Sequence, residues 1–196
     1  TGPAAIVDIT NGQQIADTVA KYRVDTVYNL AALLSAVAES KHRLAWHIGI
    51  DGLMNVLEVA RERGCAVFTP SSIGAFGDGA PKDMTPQDTI CRPHTMYGVT
   101  KVTGELLSDY YYTRFGVDTR GVRFPGLISY VTPPGGGTTD YAVDIFYAAA
   151  RGETFRCPIQ AGTFMDMMYM PDALRAAIEL MEADPTRLVH RNSFNI

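Results

Sequence analysis

The sequence predicts an α/β protein, a doubly wound parallel sheet with helices on both faces. Short apolar runs alternate along the chain with longer segments of helical period. Those runs are apolar nearly throughout rather than alternating apolar and polar, as strands covered on both faces require. Finally, Asp8, Ala31, Ser72 and Pro125 lie where the runs end, and sheets of this type bind ligands beyond the carboxyl ends of their strands.

Residues 4–9 form the first apolar run, and Asn11 then starts a helix to about residue 22 with Ile15, Ala16 and Val19 inward. The run 25–30 is the next strand, and 31–35 a loop of small residues. Ile48, Leu53, Val56, Leu57 and Ala60 set a helical period over 43–63, which Gly64 ends. A third strand covers 65–71. Residues 77–94, rich in Pro and Asp, form a surface loop. A helix over 95–115 stops at Gly116, and a strand over 119–124 leads to a turn at Pro125 and Gly126. A Pro/Gly loop follows at 131–137, with Thr138 or Thr139 placed to cap a helix reaching Arg151. Residues 154–169 read as a strand pair. Pro171 suits the first position of a helix ended before Pro185, and 193–196 as one more strand.

With 196 residues, 46% hydrophobic and 19% charged, the chain can bury one good core. A net charge of −4 offers no broad basic surface, which argues against nucleic acid as the main partner. Cys65, Cys91 and Cys157 sit at no metal spacing and predict reduced thiols in a reducing compartment, the cytoplasm or, in a eukaryotic parent, the mitochondrial matrix. No apolar run nears the ~20 residues of a membrane span. The four histidines have no partner at metal-ligand spacing, so no metal is expected. The methionines between Met165 and Met170 are expected to fill core and pocket wall. Both ends of the chain read as interior to a domain, which predicts an internal piece of a longer protein.

The chemistry lies between Ser71 and Lys101. Ser71 and Ser72 close the third strand, while Tyr97 and Lys101, four apart, share one face of a helix. A phenol with an ordinary pKa of about 10 is a poor base at neutral pH. A lysine ammonium one turn away favours the phenolate, and a serine at the neighbouring strand tip can hold a substrate hydroxyl while the phenolate takes its proton. The spacing alone also describes an exposed helix pair. The setting, a strand ending in Ser-Ser ahead of the Tyr-Lys helix, favours the site.

These residues resemble the extended short-chain dehydrogenase/reductase family over nearly the whole chain. The likeness rests on Asp8-Ile9, the run from Asn29 to Ala32, Ser71-Ser72 with Phe76-Gly77, and the run from Tyr97 to Lys101. Arg123 to Ser129, Gly135 to Val143 and Met165 to Ala173 are similar to the threonine-oxidising members. The resemblance implies a Rossmann-like fold, with an NAD-binding part over 1–130 and a substrate-binding part over 131–196. It implies NAD as cofactor, L-threonine as substrate and a homodimer. It makes Tyr97 the base, Ser72 the hydroxyl partner, and Lys101 the residue that tunes Tyr97 and grips the ribose. Asp8 and Ile9 would hold the adenine end. Leu30, Ala31, Ala32 and Ser71 would line the cofactor path, with Pro125 and Leu127 beside the nicotinamide. Ser35, Gly137, Thr138 and Thr139 would contact substrate. At the last three, a free helix N-terminus offers unpaired N–H groups to a carboxylate.

Departures from the family pattern also carry information. The glycine-rich phosphate loop has no counterpart in these residues and is expected upstream of Thr1. Gly49 stands where an Asn is usual. Nucleotide-sugar epimerases carry an Arg where this chain has Met165, and sugar dehydratases an Asp-Glu pair where it has Ile73 and Gly74. A sugar-nucleotide epimerase and a non-catalytic fragment remain the alternatives.

Overall fold

The computed structural model describes residues 2–131, 133, 135 and 137–196. Of the loop expected at 131–137, Thr132, Pro134 and Gly136 lie outside the described residues. Helix α1 (Gly12–Tyr22) is capped by Asn11, whose side chain accepts from the Gln14 amide, a cap worth about 1 kcal/mol. The expected strand over 4–9 does not form. That run is exposed except at its end, where Ile9 packs against Gly52 and Asn55 Nδ2 donates to the Ile9 carbonyl at 3.0 Å.

Strand β1 (Thr26–Tyr28) pairs in parallel with β2 (Ala66–Phe68), which pairs in parallel with β4 (Thr119–Arg120). After a break at Thr69 and Pro70, the second strand resumes as β3 (Ser71–Ser72). The fourth resumes after Gly121 as β5 (Val122–Phe124), which pairs with β3 and with β8 (Phe194–Asn195). All these pairings are parallel, as the fold class predicts. The turn expected at Pro125 and Gly126 is instead the entry to β6 (Gly126–Ile128), parallel to β7 (Met167–Tyr169). A side chain on Gly126 would come within 2.5 Å of Met167 Sδ, so glycine permits the close approach of these strands. Only β7 forms from the strand pair expected over 154–169.

Helix α2 (Ser35–Ser40) occupies part of the expected loop and the residues after it. Helix α3 (His42–Trp46), a π-helical turn over His47–Asp51, and α4 (Gly52–Arg63) run on as one rod that Gly64 closes at φ 72°. Helix α5 (Met96–Phe115) starts at a Thr95 cap and ends at Gly116. Helix α6 (Tyr141–Ala150) begins after Asp140 rather than at a threonine cap. Helix α7 (Met170–Glu182) has Pro171 in its second position.

Ile15, Val19, Leu53, Val56, Leu57, Val67 and Tyr111 form one core, between the sheet and α1, α4 and α5. Phe68, Val122 and Ala177 form a second one under α7. Arg120 Nη1 donates to the carbonyls of Leu180, Met181 and Ala183 at the end of α7, where a cation also suits the helix dipole. The result is a Rossmann-like α/β fold with parallel strands covered on both faces. No described helix is long and apolar enough to cross a membrane.

Candidate active site

Ser72 ends β3, and its hydroxyl accepts the Gly74 amide at 3.1 Å, capping a 3₁₀ turn over Ile73–Ala75. This turn meets the start of α5. A side chain at Gly98 would strike the Gly74 carbonyl at 2.2 Å, and one at Gly74 would touch the Tyr97 ring at 3.2 Å. Two bare backbones in contact thus bring the Tyr97 phenol within interaction range of the Ser72 hydroxyl. Gly98→Ala should force α5 away from the turn and lower activity by at least about tenfold, since misplacement by an ångström is costly in catalysis. Steady-state rates beside an unfolding curve would separate that loss from simple instability.

Lys101 lies one turn along α5. Its ammonium donates to the Pro70 carbonyl at 2.8 Å and lies 5.3 Å from the Tyr97 ring centre. Ser72, Tyr97 and Lys101 therefore converge at the carboxyl end of the sheet. Burial pushes the Tyr97 phenol above its ordinary value, and the Ser72 hydroxyl only partly opposes that. Burial likewise pulls Lys101 down to about 8, with Glu105 opposing it.

Two carboxylates that did not stand out in the sequence support the site. Glu105 is buried, accepts from Ser71 Oγ, and holds Arg123 in two contacts of 2.9 and 2.8 Å. Glu39 on α2 accepts from the Met96 amide at 2.6 Å and so caps the helix that carries Tyr97. The Tyr-x-x-x-Lys-x-x-x-Glu spacing could have pointed to Glu105, whereas nothing local marks Glu39.

Leu30, Ala31, Ala32, Ser71 and Lys101 line one cavity. Leu30, Ala31 and Ala32 are exposed at the end of β1, small or apolar surface open to a ligand. Asp8 and Ile9 are not in that lining. The exposed Asp8 carboxylate accepts from the Thr10 amide and hydroxyl at 2.9 and 2.8 Å, led by the amide, which hold it below its ordinary pKa. An exposed carboxylate in a fixed turn suits polar donors such as ribose hydroxyls. Leu127 lines a separate cleft with Tyr130, Asp140 and Met170, and Pro125 is buried just before it.

Of the substrate candidates, Thr139 packs on Gly126, and a side chain at Gly135 would touch Leu34, next to Ser35, at 3.5 Å. The loop before α6 and the start of α2 thus lie side by side, while Thr138 is exposed. The Gly137 amide is not unpaired as expected, because it donates to Asp140 Oδ2 at 2.7 Å. Among the described residues, no group of three His, Cys, Asp or Glu could hold a metal.

Comparison with known proteins bears on this geometry. Residues 3–196 match the NAD dependent epimerase/dehydratase family. The chain is 56% identical to an uncharacterized epimerase/dehydratase of Staphylococcus haemolyticus, over all of this chain and 61% of the other. It is 62% identical to an L-threonine dehydrogenase of Clostridium difficile, with a TM-score of 0.96 over 98% of this chain and 60% of that one. A GalE-like L-threonine dehydrogenase of Cupriavidus necator in holo form is 48% identical, with a TM-score of 0.96 over all of this chain and 66% of that one. A UDP-glucose 4-epimerase of Thermotoga maritima, 22% identical with a TM-score of 0.84, shares the fold. The chain spans about 60% of the length of the first two relatives. With its parallel sheet and a family match over nearly its whole length, the chain belongs to the NAD dependent epimerase/dehydratase family, the extended short-chain dehydrogenases/reductases.

Proposed function

We propose that this chain forms the larger part of an NAD-dependent dehydrogenase that oxidises the side-chain alcohol of L-threonine to 2-amino-3-oxobutyrate. The observation that carries this is the convergence of Ser72, Tyr97 and Lys101 at the carboxyl end of the sheet, in a fold shared with proteins named L-threonine dehydrogenases. Ser72 orients the substrate hydroxyl and Tyr97 takes its proton. Lys101 holds the cofactor ribose. Bound NAD supplies the acceptor for the hydride leaving the hydroxyl-bearing carbon and a positive ring beside Tyr97. Burial raises the phenol, and the positive ring of bound NAD would oppose that by favouring the phenolate.

Asp8 and Ile9 are assigned to the adenine end, Leu30, Ala31, Ala32 and Ser71 to the cofactor path, and Pro125 and Leu127 to the nicotinamide. Ser35, Thr138, Thr139 and Gly137 are assigned to substrate, Gly137 once its amide leaves Asp140. Residues 1–130 serve the cofactor and 131–196 the substrate. Exposed Leu106 and Tyr110 on α5 favour pairing with a second copy.

The test uses the longest natural chain that contains these residues, mixed with NAD and L-threonine and followed at the NADH absorbance. Steady NADH formation is expected with L-threonine. Turnover of a UDP-sugar without NADH release would establish the epimerase instead. Absence of both activities and of NAD binding would establish a non-catalytic role.

A further inference from the structure

Lys101 and Glu105 are four apart on α5 and so share a face, yet no direct ion pair joins them among the described residues. The Lys101 ammonium donates to Pro70, while both Glu105 oxygens are engaged by Arg123, one of them also by Ser71. The cavity that Leu30, Ala31 and Ala32 line, about 40 Å³, extends beside them, and its lining also includes Asn29, Thr69, Ser71, Lys101, Glu105 and Ser108. Ser108 is 1% exposed, and neither its Oγ nor Thr69 Oγ1 has a hydrogen-bond partner among the described residues. Buried hydroxyls are almost always satisfied. A polar space of this size takes about three waters, each needing two to four polar partners.

We propose that Glu105 is a positioning residue that keeps Lys101 a charged ammonium, acting through water held in this chamber by Ser108 and Thr69. The proposal deepens the function proposed above, because that function needs a cation at Lys101. A carboxylate locked by Arg123 cannot swing away, so its field on the lysine is fixed. Water between them solvates the ammonium on the side away from Pro70. The charged or titratable groups facing this lysine are Tyr97 and Glu105 on α5 and, behind Glu105, Arg123 on β5. Asp109 sits one turn further along α5 and feels both Glu105 and Arg123. The rest of the described lining, which includes Asn29 to Leu33 after β1, Gly49 on the π turn, Thr100 on α5, and Asn192 and Ser193 in the C-terminal segment, brings no group that titrates. Among the described residues, Glu105 is thus the only anion lining the chamber.

The test reads the lysine directly, without turnover. The full chain is labelled with acetic anhydride across pH 6–10, and the rate of Lys101 acetylation is followed by peptide mass spectrometry. In Glu105→Gln the titration should move to lower pH by about one unit, raising the neutral fraction of Lys101 at pH 7 about fivefold, from about a tenth to about a half. Ser108→Val, which fills the chamber with methyl groups and leaves Glu105 in place, should move it the same way by a smaller amount. Ser71→Ala, which removes a Glu105 contact but no charge, should leave it in place. If Glu105→Gln fails to fold, Ser108→Val decides. An unchanged Lys101 titration in whichever of the two variants folds would overturn the proposal. So would an equal shift in Ser71→Ala, which would make the effect one of packing. A wild type that titrates as expected but does not oxidise L-threonine would refute the function alone.

Discussion

Replacing Tyr97 by phenylalanine is expected to lower kcat for L-threonine oxidation by between about a hundredfold and ten-thousandfold, the usual worth of a positioned general base. The change removes one oxygen. The ring stays beside the Lys101 ammonium and against Gly74, so the fold and the start of α5 should persist and the unfolding midpoint should barely move. NAD affinity should survive as well, because Lys101 keeps its place on Pro70. What disappears is the acceptor for the hydroxyl proton, together with the phenol's interaction with Ser72. The pH profile gives a second readout. A base must be unprotonated to act, and burial raises this phenol, so the wild-type rate should climb with pH as Tyr97 ionises. In the phenylalanine variant that limb should vanish. A variant within threefold of wild type would remove Tyr97 from the chemistry.

The parts of this site that could be read from the sequence are those set by local spacing. Tyr97 and Lys101 are a helical turn apart, and Ser72 ends an apolar run, so periodicity alone places all three. Helix ends were legible for the same reason, at Asn11, Gly64 and Gly116, where one residue decides the cap. The burial of the phenol is not legible in the sequence, because desolvation depends on what closes over the side chain, and that closure comes from β3, the 3₁₀ turn and α5 together. Gly98 and Gly74 meet across 24 residues of chain, and no pattern in either segment announces the contact. The Pro-Gly pair at 125–126 read as a turn because its partner strand lies some forty residues further on. Helix α2 escaped notice because six residues hold too little periodicity. Its role, carrying the Glu39 that caps α5, exists only in the folded chain.

The salt bridge behind the site gives the largest expected effect on stability. Glu105 and Arg123 are buried, with side chains 8% and 6% exposed, and meet through two hydrogen bonds. Arg123 also donates to the Gln87 carbonyl and the Asn195 side chain at 3.2 Å each. The one guanidinium therefore ties α5, β5, β8 and the loop before α5. Arg123→Ala would leave an enclosed carboxylate with Ser71 as its one side-chain donor among the described residues, and breaking a buried pair from one side costs about 3–5 kcal/mol. Since domains of this size hold about 5–15 kcal/mol in total, the urea midpoint should fall by about a fifth or more. The double variant Glu105→Leu, Arg123→Met should recover most of that loss. It removes both charges and restores apolar volume, and such replacements are often neutral. The contrast between single and double variants isolates the cause. If the single variant costs under about 1 kcal/mol, water reaches Glu105 freely and the pair does not hold the sheet to α5. If the double variant is as unstable as the single, the loss comes from the Gln87 and Asn195 contacts rather than from the stranded charge.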